Sequence, residues 1–276
     1  MKLPIIKNTQ EQMNSYSFRS CVMLFSALFL MNVSCDTKSN KPKETPLTVY
    51  EDSVLGMAKA KEAREAIVAK LADGLELNLW ASDSLAPDPI AMDIDTKGRI
   101  YLTRTNRGKN SEFDIRGYQH WMTPSISLQS VEERRAFLRK TFAPELSAEN
   151  EWFPDLNEDG SHDWKDLTVE KEEVWMLEDT NKDGIADVSK RILNDFNEEV
   201  TDVAGALLVR DEDVFVGVGP DMWRLTDTNE DGVLDEKTSI AHGFNIHIGF
   251  GGHGMSGATQ GPDGKIYWGA GDIGAN

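Results

Sequence analysis

The chain has 276 residues, of which 39% are apolar and 28% are charged, and its formal net charge is −18. This length suits one large domain or two small ones, and this apolar content is sufficient for a buried core. The negative charge argues against nucleic acid and anionic membrane surfaces as electrostatic partners, and it favours cations such as calcium.

The N-terminus carries an export signal. Arg19 precedes an apolar run, Cys21 to Val33, which is too short to span a bilayer as a mature helix and fits a signal h-region. Ser34-Cys35 closes the run and resembles a bacterial lipoprotein cleavage site. Residues 1–35 are therefore predicted to be a lipoprotein signal peptide, with Cys35 lipidated. The exported protein would be anchored, through lipid only, on the periplasmic or cell-surface side of a bacterial membrane. A plain signal peptide or a single membrane anchor is the alternative.

Cys21 and Cys35 are the two cysteines of the sequence. If Cys21 leaves with the signal peptide and Cys35 carries lipid, the mature chain has no free thiol. This prediction excludes disulfides, thiolate metal sites, a cysteine nucleophile and c-type haem attachment within this chain.

Two segments lead into the main domain. Residues 36–50 are rich in lysine, serine and proline, cannot bury a core, and are predicted to be a flexible tether. Residues 51–73 are rich in alanine and contain an apolar stripe that includes Val54 and Ile67, so they are predicted to be a helix. Gly74 is expected to cap this helix.

From residue 74 the hydrophobic period changes from helical to alternating. Residues 75–80 alternate as a half-buried strand does, and residues 90–104 have the pattern of a hairpin around a glycine turn. The hairpin unit recurs at residues 259–268 and, more weakly, at residues 206–218. Repeated hairpins are typical of a β-propeller, although other antiparallel β domains also contain them.

An insertion is predicted between these hairpins, at residues 105–170. Within it, residues 130–146 are expected to be helical, because Val131, Phe137 and Leu138 fall on one side of such a helix. The remainder has a loop-like composition.

Three loops share one acidic pattern, with Asp, Asn and Asp at alternate positions, Gly at the sixth and Asp at the ninth. Alternate oxygens on a loop bent by glycine can converge on one hard cation, and the loops resemble EF-hand and thrombospondin-type calcium loops. The EF-hand Glu at position twelve is missing, and the flanking residues look like strands, so we expect the loops to cap hairpins. Acidic turns that serve solubility are the alternative. The predicted calcium ligands are Asp155, Asn157, Asp159 and Asp163; Asp179, Asn181, Asp183 and Asp187; and Asp227, Asn229, Asp231 and Asp235.

His242, His247 and His253 fall within twelve residues, among several glycines. A metal site is disfavoured, because no carboxylate shares a regular spacing with them. A second interpretation is a catalytic base in a glycine-lined pocket, since histidine can accept a proton at neutral pH. Asp272 ends the next strand and can lie beside His253, where it would fix the tautomer. A buried histidine without chemistry is the third interpretation.

The run from His253 to Asp272 contains Ser-Gly, Gly-Pro-Asp, an aromatic strand and a final Gly-Asp. With this spacing it resembles the soluble quinoprotein glucose/sorbosone dehydrogenase family, whose fold is a six-bladed β-propeller. More loosely, the chain from Gly74 onward resembles the propeller portion of bacterial lipoproteins classed as membrane-bound dehydrogenases. The resemblance implies a mainly β fold in which residues 74–276 form the N-terminal part of a six-bladed propeller.

The resemblance also implies a reaction. His253 would remove the proton of a sugar or alcohol hydroxyl while hydride moves to pyrroloquinoline quinone (PQQ), and Asp272 would orient His253. Calcium would polarise the quinone, and electrons would pass to a c-type cytochrome. His247, Gly261 and Pro262 are the residues expected to line the cofactor site.

Two departures from that family matter. Ala258 stands where the family has a basic residue, and the arginine and lysine residues that hold the quinone come later in the family than Asn276. We therefore expect this chain to be the front part of a longer protein, or the product of a truncated gene. The alternative function is a non-catalytic, calcium-stabilised propeller that binds glycan or protein at the cell surface.

Overall fold

The computed structural model describes residues 42–275, so the predicted signal peptide, Cys35 and the first part of the predicted tether lie outside the described residues. The described part is mainly β, with three antiparallel sheets, none of which closes on itself. No helix in this part is long and apolar enough to cross a bilayer.

Five strands form the first sheet. They are β1 (Leu47–Tyr50), β2 (Met92–Ile94), β3 (Ile100–Thr105), β4 (Glu172–Glu178) and β5 (Val188–Asp195). All neighbours are antiparallel, in the order β1-β5-β4-β3-β2. The predicted tether over residues 36–50 is wrong at its end, because β1 pairs with β5 and Val49 packs against buried side chains of this sheet.

The other two sheets contain six strands. They are β6 (Ala204–Arg210), β7 (Asp213–Val218), β8 (Asp221–Thr226) and β9 (Glu236–His242) in the second sheet, and β10 (Met255–Gln260) and β11 (Ile266–Ala270) in the third. The second sheet follows chain order, β6-β7-β8-β9. The hairpins predicted at residues 90–104, 206–218 and 259–268 are all confirmed.

The main hydrophobic core lies between the first and second sheets. Tyr101, Val174 and Met176 of the first sheet belong to one buried cluster with Leu207 and Val216 of the second. The inward residues alternate along their strands, as the period of two requires. This core packs the first sheet against the second.

The first helix, α1 (Ser53–Ala66), is shorter than the predicted helix over residues 51–73. Asp52 caps its N-terminus, because its Oδ1 accepts the N–H groups of Val54 and Leu55. The helix ends where the backbone becomes extended at Ile67. The predicted apolar stripe is exposed, with Val54 76% accessible, and the helix buries Gly56 instead. Consecutive β-branched residues at 67 and 68 are poor helix formers, and no packing holds them in a helix. Gly74 lies in a later turn with φ +82° and does not cap α1.

Residues 75–80 do not form the predicted strand. Leu75 is 65% exposed and Leu77 is 43% exposed, so alternation here does not mark a buried face. A strand needs a neighbour for its backbone hydrogen bonds, and residues 75–80 pair with no strand of the three sheets. At the end of the segment, Trp80 packs on the first sheet and its carbonyl accepts the Ala186 N–H.

The insertion contains two further helices, α2 (Met122–Ile126) and α3 (Val131–Thr141). The predicted helix at 130–146 is confirmed over most of its length, and Ser130 Oγ caps it by accepting the Glu133 N–H. Leu138 and Phe142 are fully buried in an aromatic cluster. The insertion thereby has a core of its own, which packs beside the segment before β10 through Ile248.

Candidate functional site

His253 and Asp272 meet at one end of the third sheet. His253 precedes β10 and Asp272 follows β11, and these strands pair antiparallel with Met255 opposite Ala270. Antiparallel pairing brings the start of one strand beside the end of the other. The predicted contact is present, with His253 Nδ1 3.2 Å from Asp272 Oδ1. Both side chains remain accessible, at 57% and 40%.

The backbone around the His253–Asp272 pair leaves little space for an added side chain. A Cβ at Gly271 would collide with the carbonyl oxygen of His253, so a side chain there would push the two strand ends apart. The Gly271 N–H donates to the Gly254 carbonyl at 3.2 Å. On its other side, the His253 ring meets Phe250 edge-on, with centroids 5.3 Å apart.

Carboxylates surround the glycine-rich segment before β10. Asp114 Oδ2 accepts the Gly251 N–H at 3.1 Å, and Glu112 Oε1 accepts the Gly252 N–H at 2.6 Å. A Cβ at Gly254 would lie 2.6 Å from Asp202 Oδ2, and one at Gly249 would lie 2.9 Å from Asp272 Oδ1. Glycine is required for such close approach. The glycines predicted a close approach, but nothing in the local sequence identified Glu112, Asp114 and Asp202 as the approaching groups.

These acids differ in their electrostatics. Burial raises the pKa of Glu112 and of Asp202 above the ordinary carboxyl values. Asp114 has its pKa lowered well below the usual range, because the Arg116 side chain donates hydrogen bonds to it. Behind them, Arg134 Nη1 donates to the Asn245 carbonyl at 2.6 Å, and burial lowers the Arg134 pKa to about 10. The site near His253 is therefore rich in carboxylates. The guanidinium groups of Arg116 and Arg134 already donate hydrogen bonds to Asp114 and to the Asn245 carbonyl.

The structure separates the other predicted cofactor residues from His253. Gly261 and Pro262 lie at the turn between β10 and β11, roughly 16 Å along the strand from the His253 end. The structure therefore does not bring Gly261 and Pro262 to the His253 end of the hairpin, and their contact with a cofactor stays a prediction. The reason is that a hairpin of this length carries its turn away from its open end.

His247 also has another role. Its Nε2 lies 3.1 Å from the Leu128 carbonyl, and its ring fills the space beside Gly274. It lines, with Glu112, Arg134 and Asp202, a cavity of about 10 Å³. This volume holds about one water molecule and no cofactor.

The three histidines do not converge. His242 lies at the end of β9, where its Nδ1 is 2.9 Å from Asp221 Oδ1. Among residues 42–275 there is no group of three or more His, Cys, Asp or Glu side chains arranged to hold a metal ion.

The three acidic loops share one conformation. In each, the first Asp accepts the amide N–H groups of the fifth and sixth residues, as Asp179 does from Asp183 and Gly184. The fourth residue has positive φ in each loop, and so does the sixth, a glycine. The second and third loops connect β4 to β5 and β8 to β9, so the prediction that the loops cap hairpins is confirmed for these two. It is wrong for the first loop, which lies in the insertion with no strand on either side.

The three loops resemble one another in backbone conformation more closely than any of them resembles an occupied metal site. At the ninth position, Asp187 accepts from Thr180 N and Oγ1, and Asp235 accepts likewise from Thr228. An ionised carboxylate has about four acceptor positions, so the two hydrogen bonds from Thr180 leave Asp187 with lone pairs that a cation could use. Carboxylate and amide oxygens are ligand types that calcium takes, so the residue types of the loops fit the predicted cation.

Comparison with known proteins finds no match among curated proteins and none among solved structures. Residues 59–276 match a family whose description is Domain of unknown function (DUF7133). This match begins inside α1 and includes the insertion, all the strands after β1 and the His253–Asp272 pair. The chain therefore belongs to the DUF7133 family.

Proposed function

We propose that this protein oxidises a hydroxyl group of a sugar or other alcohol, with His253 as the general base. The contact of 3.2 Å between His253 Nδ1 and Asp272 Oδ1 carries the proposal. An ionised Asp272 accepts the Nδ1 proton, which leaves Nε2 as the ring nitrogen that can accept a proton from a substrate hydroxyl. Because the His253 side chain is exposed, a substrate can reach Nε2.

The arrangement of the sheets supports the partial six-bladed propeller that the resemblance implies. Edge strands of successive sheets lie side by side: Asp93 of β2 accepts the Val209 N–H of β6 at 2.7 Å. A Cβ at Gly205 of β6 would collide with the carbonyl of Met255 in β10. Side-by-side packing of the inner strands of antiparallel sheets is typical of propeller blades.

PQQ, when bound, would supply the hydride acceptor, and a c-type cytochrome would then receive the electrons. The residues near His253 fit the proton-accepting half of this reaction. They do not fit the carboxylates of the quinone, because Glu112, Asp114 and Asp202 are acidic and Arg116 is already paired with Asp114. This disagreement favours the second candidate function, a non-catalytic propeller that binds glycan or protein at the cell surface.

Calcium is part of the proposal. The repeated loop conformation supports it in all three acidic loops, where it would stabilise hairpin ends at 179–187 and 227–235 and the insertion at 155–163. The sequence of the N-terminus supports an exported protein, lipid-anchored through Cys35.

The test combines PQQ, calcium and a panel of sugars and alcohols with a redox dye. We compare the wild-type protein with His253→Ala and Asp272→Asn, and the matched control is His120→Ala, an exposed histidine in the insertion. We expect dye reduction that His253→Ala lowers by at least about 100-fold and that His120→Ala leaves unchanged. A folded protein that neither binds PQQ nor reduces the dye would contradict the oxidation and favour the binding propeller.

A further inference from the structure

A second cleft lies between the end of β5 and the β8–β9 pair. Its volume is about 280 Å³, and His253 and Asp272 do not line it. Its lining includes Phe196, Trp223, Lys237, Asp221, His242 and Arg135.

An aromatic wall forms one side of this cleft. The rings of Phe196 and Trp223 lie 5.3 Å apart at 41°, and Lys237 Nζ stands 5.0 Å and 5.7 Å from their centroids. Trp223 Nε1 donates to the Val218 carbonyl at 3.3 Å, which orients the indole plane. Phe196 is buried and Trp223 is half-buried, so Trp223 is the ring of this pair that a ligand can contact, at the edge that Lys237 does not cover.

The backbone at this wall adopts an unfavourable conformation. Phe196 has φ +63°, a region that a bulky side chain rarely occupies. Buried Arg107 holds it there, because its Nη2 donates to the Phe196 carbonyl at 3.0 Å, and the Phe196 N–H donates to Asp195 at 2.7 Å. Such strain concentrates at functional positions. The Phe196 ring is 6% exposed and belongs to the core between the two sheets, so it fixes the inner side of the cleft beside Trp223.

A histidine–aspartate pair stands on the other side. Asp221 and His242 face each other in the β8–β9 register, and Asp221 Oδ1 contacts His242 Nδ1 at 2.9 Å and Ser239 Oγ at 2.5 Å. Asp221 is 9% exposed and His242 54% exposed. The ionised carboxylate accepts the Nδ1 proton, so His242 Nε2 is left as an accessible hydrogen-bond acceptor.

Both cations that line the cleft are already paired with carboxylates, and carboxylates outnumber them. Lys237 Nζ pairs with Asp195 at 2.5 Å, and Arg135 pairs with Glu198 at 2.7 Å and Glu199 at 3.0 Å. No net positive charge is therefore left for an anionic ligand. Paired charges still offer donors and acceptors at close spacing beside an aromatic surface, which suits a neutral ring with many hydroxyl groups.

We propose that this cleft binds a neutral carbohydrate, whose apolar ring face stacks on Trp223 and whose hydroxyl groups bond to His242 and the paired charges. This site is separate from His253, and its binding does not depend on oxidation there.

The test titrates the full chain with neutral mono- and disaccharides and with the anionic sugar glucuronate, by calorimetry and ligand-observed NMR. The variants are Trp223→Ala, Trp223→Phe and His242→Gln, and circular dichroism checks their folding. The controls are Trp152→Ala, an exposed tryptophan in the insertion, and His253→Ala.

We expect saturable binding of at least one neutral sugar. Trp223→Ala and His242→Gln should each weaken it about tenfold, with partial retention in Trp223→Phe and no change in either control. Binding of no neutral sugar, unchanged binding in folded Trp223→Ala, or tighter binding of glucuronate would overturn the proposal. Loss in His253→Ala alone would place the sugar at the oxidation site and also overturn it.

Discussion

Arg107 and Glu172 form an ion pair in which both side chains are 1% exposed, with Nε and Oε1 3.4 Å apart. Thr105 Oγ1 and the Ala204 N–H also donate to the Glu172 carboxylate, at 2.7 Å and 2.8 Å. The guanidinium of Arg107 donates to carbonyls at Leu167, Glu170 and Phe196. The pair thereby joins the insertion, the first sheet and the second sheet, and it supports the strained residue of the carbohydrate cleft.

This burial predicts a pH dependence of stability. Desolvation raises the pKa of Glu172 from 4.5 to about 7. Between these values the folded state retains a proton that the unfolded state has lost. The free energy of unfolding therefore falls as pH rises through this window, by up to about 3 kcal/mol, and does not change further from this group above about pH 7.

Urea unfolding at about pH 5 and about pH 8 measures this effect. Glu172→Gln cannot titrate, so the difference between the two pH values should shrink by most of that amount. Glu62→Gln, on the exposed face of α1, is the control and should behave as wild type. An unchanged pH dependence in Glu172→Gln would show that Glu172 has an ordinary pKa.

Chelation should lower the melting temperature if the acidic loops hold calcium. With free calcium about 100-fold above Kd, the expected decrease is roughly 5–10 °C for a domain of this size. Asp179→Ala and Asp227→Ala remove a ligand but also remove loop hydrogen bonds. The informative measurement is therefore the response to chelator, which each variant should reduce. Asp211→Asn, in a turn without the pattern, should keep the full response, and a wild-type protein insensitive to chelator would contradict the calcium assignment.

Gly271→Ala should destabilise the protein by about 3 kcal/mol or more, because the added methyl group meets the His253 carbonyl, which is backbone and cannot rotate away. Chemical denaturation checks this value. Gly108→Ala is the matched control, since its nearest neighbouring atom would be 3.8 Å away, and it should change stability by about 0.5 kcal/mol or less. Equal stability of the two variants would mean that the ends of β10 and β11 can separate freely.

Labelled fatty acid should be incorporated at Cys35 in a bacterial host. Cys35→Ser should abolish labelling, because the lipid is attached to the thiol, whereas Cys21→Ser should retain it. Labelling is measured by gel fluorography of membrane fractions. Incorporation that persists in Cys35→Ser would contradict the lipoprotein assignment.

Local sequence was sufficient for the hairpins. The turn at Gly98, the acidic loops and the turn at Pro262 all have residues whose backbone preferences act over a few neighbours, and each lies where it was expected. The contact between His253 and Asp272 was also predictable, because it follows from the hairpin between them.

Long-range packing determined the features of the fold that local sequence did not predict. The pairing of β1 with β5, the early end of α1 and the exposed segment at 75–80 depend on which surfaces the rest of the chain covers. The acids that contact the glycine segment come from residues up to 140 positions away, and Phe196 meets Trp223 only because two sheets pack together. Hydrophobic alternation and propensity report what a residue prefers, and they carry no information about which distant group will lie beside it.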